Sequence, residues 1–501
     1  MTENDNTGVE GHFKERIRAM KSKKKMTTTA LAVALAVLLL IGGGTFAYLQ
    51  STTGDVKNNF KTNKVMVELS ETGDGQYDII PGTEQSKDPK VTVNNTVGAY
   101  VYVEVTDTTQ GLVEYSIADG WTPLDGFEGV YYREVAKSTD PQVFSVLKDD
   151  KVSYSTALEN SDMLNTDGSL KAGVELTFKA HAIQKAGFDS AVAAYKQIPT
   201  EAATTEEITK AIANGKAVKL ADDATNVSVP IENLTDKNVS IDLNGKTLTI
   251  TGRNTEIGNG ESLTLENGTV DWNVNDRVAI AMNTGSDVTL KNITTDMNGK
   301  SILINPGTDV ADLDIIDSTL TTTDFYVIST NAANNLTGKS VDINIQNSTL
   351  KTLCAGKDDA GVLFNVPGTL NIEKSTIQGD RQAVIVRCGT ATIKDSKLIC
   401  TGETASANWD KYIAEDDKGM WGSGNEVPVA TLVVGNRSNA NVYPYDASCT
   451  LSNTTLTLGD GNTGRTLVYA AAYNGHTTTI SGVDAAQITQ SKDAISTITI
   501  K

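Results

Sequence analysis

The sequence predicts an all-β chain in two parts, an antiparallel β-sandwich followed by a parallel β-helix, with short helices at the junction. Three observations organise it. Between Tyr48 and Ile198, short runs alternate apolar and polar residues between turn signals. From Ile241 onward, the pattern apolar-x-apolar-x-(Asn/Asp/Gly)-x-Thr-apolar recurs as far as Leu456. Ahead of both, residues 21–49 read as an export leader. The expected divisions are therefore a preamble and leader (1–47), a sandwich (48–198), a linker with a capping helix (199–215) and a β-helix (216–501).

In the leader, Lys21, Lys23, Lys24 and Lys25 form a basic region, and Ala30 to Ile41 an uninterrupted apolar one. Thr45-Phe46-Ala47 is a small-x-small cleavage site. Cleavage after Ala47 leaves Tyr48 as the mature N-terminus. The uncharged stretch between Met26 and Gly54 is also long enough to remain as a membrane anchor. Gly42, Gly43 and Gly44 beside the small-residue site favour cleavage. Removal of residues 1–47 takes away seven Lys/Arg and four Asp/Glu, so the net charge moves from 43 − 62 = −19 to 36 − 58 = −22. So acidic a chain disfavours nucleic acid and anionic membrane as partners. Closely spaced carboxylates can take up calcium, but they equally form a solvated surface. At 39% hydrophobic residues, there is material for two cores.

In the first part, Tyr100 to Val105 and Gly129 to Val135 alternate as strands. Val174, Leu176, Phe178, Ala180 and Ala182 share one face of a third. Asp119-Gly120, Asp125-Gly126 and Asp167-Gly168 mark turns between strands. Phe188 to Lys196 reads as a short closing helix. The linker from Gln197 to Ala203 leads to Thr204 and Glu207 at capping-box spacing, and Ile208, Ala211 and Ile212 make an apolar stripe. Asn214-Gly215 ends this second helix, which is expected to plug the open end of the β-helix.

The repeat is seen in IDLNGKTL (Ile241 to Leu248), LTLENGTV (Leu263 to Val270), VTLKNITT (Val288 to Thr295), LDIIDSTL (Leu313 to Leu320), INIQNSTL (Ile343 to Leu350), LNIEKSTI (Leu370 to Ile377), ATIKDSKL (Ala391 to Leu398) and CTLSNTTL (Cys449 to Leu456). Taking Leu243, Leu265, Leu290, Ile315, Ile345, Ile372, Ile393, Leu451 and Ile480 as equivalent gives steps of 22, 25, 25, 30, 27, 21, 58 and 29 residues. A period in the twenties with two or three short strands per turn describes a parallel β-helix. A further strand per turn is expected at Val278 to Met282, Ser301 to Ile304, Val327 to Ser329, Val362 to Phe364 and Val384 to Val386. The Asn/Asp/Gly column supplies sharp bends, because these residues tolerate left-handed backbone and hydrogen-bond to the next rung.

Residues 401–436 interrupt the repeat, and TLVVGN within them can hide a further rung. Trp409, Tyr412 and Trp421, beside Asp410, Glu415, Asp416 and Asp417, are the candidate glycan-binding residues: aromatic faces stack on sugar rings and carboxylates hydrogen-bond hydroxyls. The alternative is that these aromatics pack on the solenoid wall. Cys354, Cys388, Cys400 and Cys449 lack C-x-x-C spacing, so no zinc or redox motif is present, and buried thiols and disulfides both remain open. No metal site, cofactor or catalytic residue is assigned, and the chain is not expected to be an enzyme. Asp296, Asp314, Asp317, Asp324, Asp380, Arg381 and Arg387 are scattered, Asp317 and Asp395 fall in the bend column, and His476 follows a turn. No HExxH occurs.

Two resemblances sharpen this reading. The boundary GGGTFA (Gly42 to Ala47), FKTNKVMVELS (Phe60 to Ser70), PGTEQSKDPKVTVNNTVGAYVYVEV (Pro81 to Val105) and VELTFKAHAIQKAGFDSAVAAYKQI (Val174 to Ile198) resemble the TasA/camelysin family of matrix fibre subunits. The likeness covers about 150 of 501 residues. The preamble Met1 to Met20 is longer than usual for that family, so Met20 or Met26 is an alternative start. The rung pattern resembles the pectate-lyase-like superfamily, although none of its catalytic motifs is reproduced. These resemblances imply a jelly-roll sandwich, a right-handed β-helix and a SipW-type signal peptidase acting during export. They also imply a secreted protein of the bacterial cell surface or biofilm matrix that self-associates, with the segment carrying Tyr48, Leu49, Val56 and Phe60 donated as a strand to the next subunit. The β-helix then projects or binds polysaccharide. The alternative is an adhesin or carbohydrate-active enzyme working through the β-helix.

Because signal peptidases need a small residue before the cut, Ala47→Arg should block maturation and hold the chain in the membrane fraction. Mass spectrometry of the secreted wild type checks it, since residues 26–46 still attached would refute cleavage.

Overall fold

The computed structural model describes residues 63–501 except 74, 231, 233, 235–236, 324–325, 332–335, 354–359, 402–428, 437–444, 460–465 and 492–495. The leader, its cleavage site Ala47/Tyr48 and the donor-strand residues Leu49, Val56 and Phe60 lie outside the described residues, as do Asp324, Cys354, Trp409, Tyr412 and Trp421. Among the described residues, no helix is long and apolar enough to cross a membrane. The chain is almost entirely β, and it divides into two compact units at Tyr195/Lys196.

The first unit contains strands β1 (Val65–Ser70), β2 (Glu84–Ser86), β3 (Lys90–Asn95), β4 (Ala99–Asp107), β5 (Thr122–Pro123), β6 (Val130–Val135), β7 (Gln142–Ser145), β8 (Lys151–Ser153) and β9 (Leu176–Gln184). An antiparallel β1-β3-β7 sheet faces an antiparallel β5-β6-β4-β9 sheet. Alternation turns Val91 and Val93 of β3, and Val101 and Val103 of β4, into the space between them, where Leu176, Phe178, Ala180 and Ala182 of β9 join. Gly120, Gly126 and Gly168 adopt positive φ at the expected turns. Helix α1 (Ala191–Lys196) covers the other side of β4. Tyr102 Oη donates to the Ala191 carbonyl (2.7 Å), and Tyr195 Oη donates to Glu104 (2.5 Å).

The second unit is a parallel β-helix. Successive rungs supply a first-face strand, a bend, a second-face strand and a third-face strand. One such rung is Val341–Gln346, Thr349–Thr352 and Val362–Phe364. The first two faces form a continuous 19-stranded sheet, and the third face is a 9-stranded sheet. All three turn aliphatic side chains into one core that runs from Ala202 to Ile480. The strands expected at residues 278–282, 301–304, 362–364 and 384–386 are present, and that expected at 327–329 runs Ile328–Thr330. Helix α2 (Thr205–Ala213) has its capping box at Thr204 and Glu207, and buries Ile208, Ala211 and Ile212 in this core. Within the expected linker, Thr200–Ala202 is itself a strand, paired in parallel with Val218–Leu220.

Three readings of the repeat are corrected. Ile241, not Leu243, lies beside Leu265, because the first bend has two positive-φ residues, Asn244 and Gly245, where later bends have one. Cys449, not Leu451, lies beside Ile480. Both shifts are of two residues, which preserves the inward face, so hydrophobic alternation could not reveal them. Residues Ala430–Val434, within TLVVGN, are not a further rung but the third-face strand of the rung that begins at Gly389. Its first-face strand already pairs with Ala447–Ser452, so the 58-residue step is a single turn with long insertions.

The bend column fixes the stacking. Asn267, Asn292, Asp317, Asn347, Lys374, Asp395 and Asn453 all take φ between +46° and +60°. Asn292 donates to Asn267 (3.1 Å), Asn347 to Asp317 (2.6 Å) and Asn453 to Asp395 (2.7 Å). One residue later a buried serine ladder links the rungs. The Ser318, Ser348 and Ser375 backbone N–H groups donate to Ser348, Ser375 and Ser396 Oγ at 3.0–3.1 Å. Cys388, Cys400 and Cys449 are buried free thiols, and burial pushes Cys388 and Cys449 up to about 12, so these cysteines serve as core residues.

Asn347→Val should lower stability by about 2 kcal/mol, combining left-handed strain with loss of the hydrogen bond to Asp317. Asn347→Gly keeps the backbone freedom and should lose about half as much. Denaturant melts of the two variants check the ordering.

Candidate functional site

The same alternation that points aliphatic residues into the core points small polar residues outward from the first face. On three neighbouring rungs those residues are acids. Asp287, Asp312 and Asp342 lie side by side in register, and Asp314 shares the outward side of Asp312's strand, beside Thr289 and Asn344. Beneath them Val288, Leu290, Leu313, Ile315, Ile343 and Ile345 are buried, which fixes the acids' direction. Adjacent rungs are about 4.8 Å apart, so the carboxyl groups repel one another at short range.

Hydrogen bonding distinguishes the four. Asp342 Oδ1 accepts from the Thr369 backbone N–H (3.2 Å) and Oγ1 (2.8 Å). Asp314 Oδ1 accepts from Asn344 Nδ2 (2.9 Å), whose own Oδ1 accepts from Asn371 Nδ2 (2.9 Å). Asp312 sits between them. Burial first, then Asp342, Asp287 and Asp314, push it up to about 6. Asp287, still solvent-accessible, is raised by protein crowding around its carboxyl and then by Asp314. A carboxyl that holds its proton near neutrality beside hydrogen-bonded carboxylates can deliver that proton to a leaving oxygen. Among the described residues, no group of three or more His, Cys, Asp or Glu is placed to hold a metal.

The residues singled out in the sequence are distributed differently. Asp314 belongs to this cluster. Asp317 and Asp395 are bend residues with φ of 52° and 50° and act as turn formers. Asp296 accepts from the Asn298 backbone at the end of its strand (3.0 Å). Asp380, Arg381 and Arg387 are buried on either side of the third-face strand Val384–Val386, away from the first face, and Thr401 Oγ1 donates to Asp380 (2.8 Å). His476 follows the Asn474-Gly475 turn, 3.5 Å from Asp446, and His181 lies 3.3 Å from Glu104 in the first unit. That unit also has a cavity of about 210 Å³ lined in part by Glu84, Glu114, Lys148 and Lys151, where Lys151 already pairs with Glu84 at 2.8 Å. Sequence reasoning missed Asp287, Asp312 and Asp342. Their spacings of 25 and 30 residues equal the local steps of the repeat, and that coincidence was the available signal.

No protein-family model matches the chain, and no curated protein matches it. Among solved structures, the catalytic domain of a GH87 alpha-1,3-glucanase in complex with nigerose, in unsubstituted and substituted forms, aligns with 86% of this chain and 98% of its own. Identity is 10–11% and the TM-scores are 0.17–0.18, values that carry no argument about fold or substrate. The expectation that the chain is not an enzyme is nevertheless corrected on this finding: the matched structures are catalytic domains, so the exclusion of catalysis is withdrawn.

Asp312 binds its proton more tightly in the folded state than in the unfolded one, so it lowers stability as pH rises from about 4 through about 6. Asp312→Asn should therefore be more stable than wild type at neutral pH and show a shallower decline across that window, the remainder coming from Asp287. Chemical denaturation at several pH values checks both.

Proposed function

We propose that the β-helix is a polysaccharide-engaging module whose first face carries the chemistry, with Asp312 as the acid. The observation that carries this reading is the raised Asp312 carboxyl between hydrogen-bonded Asp342 and Asp314. On neighbouring rungs, acids stand about 4.8 Å apart, and on one strand about 6.6 Å apart. Those backbone spacings are of the order of the roughly 5–9.5 Å separations used by paired carboxyl groups in glycoside cleavage. In such a reaction Asp312 protonates the glycosidic oxygen, while a neighbouring carboxylate attacks the sugar or activates water. Asp314, oriented by Asn344, is suited to that second part.

Full-length protein incubated with a panel of polysaccharides should release reducing ends, with activity declining above about pH 6 as Asp312 deprotonates. Asp312→Asn should lower the rate at least about a hundredfold while retaining binding. Binding by both proteins with no cleavage by either would leave an adhesive role and remove the catalytic one. Neither binding nor cleavage would remove the reading altogether.

A second reading concerns the first unit. The resemblance to TasA/camelysin supports an exported surface or matrix protein that self-associates by donating the segment that begins at Tyr48. The observation in its favour is that the small sheet ends on β1 and β7, with Met66 57% and Val143 57% exposed. Strand addition uses such edges. Protein starting at Tyr48 should form concentration-dependent oligomers, and protein starting near Lys61 should stay monomeric. Equal assembly of the two by light scattering would refute donation.

A further inference from the structure

The first face has a wider regularity than its acids. Two outward columns run across nine rungs, one from Asn238 to Thr479 and the other from Ser240 to Ser481. Every position in both is Asn, Asp, Ser or Thr. None is cationic, aromatic or aliphatic. Beyond the acidic rungs, Asn371, Thr390, Thr392 and Thr450 are exposed, and they give alternating hydroxyl and amide groups at about 4.8 Å along the solenoid. Some rungs are coupled through these groups: Ser448 Oγ donates to Thr390 Oγ1 (3.1 Å) and Ser481 Oγ to Thr450 Oγ1 (3.0 Å). The four rungs from Thr369 to Thr479 continue this surface for roughly 19 Å past the carboxylates.

We infer that the polymer engaged by this face is an uncharged polysaccharide lying along the solenoid axis, across the acidic rungs and over the Thr/Asn/Ser rungs that follow. This rests on the proposed polysaccharide reading and adds the charge class and the path. A polyuronate would meet four carboxylates with no cation in either column, and like charges at this spacing repel. The nearest lysine beyond them, Lys394, is already engaged by Glu373 (3.0 Å) and Asp395 (3.6 Å). A polyhydroxylated neutral chain meets donors and acceptors whose spacing suits repeated hydrogen bonding, and its affinity has no large Coulomb component to be screened.

The test is equilibrium binding of the full chain to a soluble neutral glucan and to polygalacturonate, at low and at high salt. Thr450→Lys and the near-isosteric Thr450→Val serve as variants far from the acids, with circular dichroism confirming that each is folded. The expected result is binding to the neutral glucan that is insensitive to salt and weakened about tenfold by Thr450→Lys and severalfold by Thr450→Val. Preference for polygalacturonate would overturn the charge class while leaving polysaccharide engagement standing. Neutral binding unchanged in both variants would overturn the path along the axis. Binding to neither polymer would overturn this inference, and the full panel then decides whether the broader reading falls with it.

Discussion

Rung-on-rung register is the constraint on which the solenoid depends. A parallel sheet tolerates no slip of one residue, because a slip would turn every inward aliphatic side chain outward. The bend column prevents this by placing a left-handed residue at the same corner of successive rungs, and the side chains at that corner hydrogen-bond from one rung to the next. The serine ladder just inside it satisfies backbone N–H groups that would otherwise be buried without partners. Together they make the corner both the sharpest bend and the most tightly specified point of each turn.

Everything outside the core inherits that register. Once Leu313 and Ile315 are fixed inward, Asp312 and Asp314 have no choice but to stand outward, and the same holds for Asp287 and Asp342 on the rungs beside them. Carboxyl groups that would separate freely in an unfolded chain are held close enough to raise Asp312. The hydrophobic core thus maintains an electrostatic arrangement that is unfavourable by itself, as is common where a protein concentrates reactive groups.

The long insertions follow the same logic. Between Cys400 and Ala430, and again between Val434 and Ala447, the chain leaves the rung and returns to it, yet Gly389–Lys394 and Ala447–Ser452 remain neighbours. Loop closure grows only slowly with length, so a solenoid accepts large excursions provided the returning strand carries the right pattern. Ala430–Val434 does, being buried throughout. Similar economy operates in the sandwich, where β4 is covered on both sides because α1 lays Tyr195 against Tyr102, their ring centroids 5.1 Å apart.

By itself the sequence determined the kind of fold. Period-two alternation, the Asn/Asp/Gly column, the capping box at Thr204 and Glu207, and most third-face strands were legible because each depends on residues close together in the chain. Only the tertiary structure decided the end registers, since shifts of two residues at Ile241 and Cys449 leave the hydrophobic pattern unchanged. It also decided the candidate site. Asp314 looked solitary in sequence because its acidic neighbours are 25 and 30 residues distant along the chain or two positions away on its own strand. Their common electrostatics arise only when parallel rungs stack about 4.8 Å apart and exclude water between them.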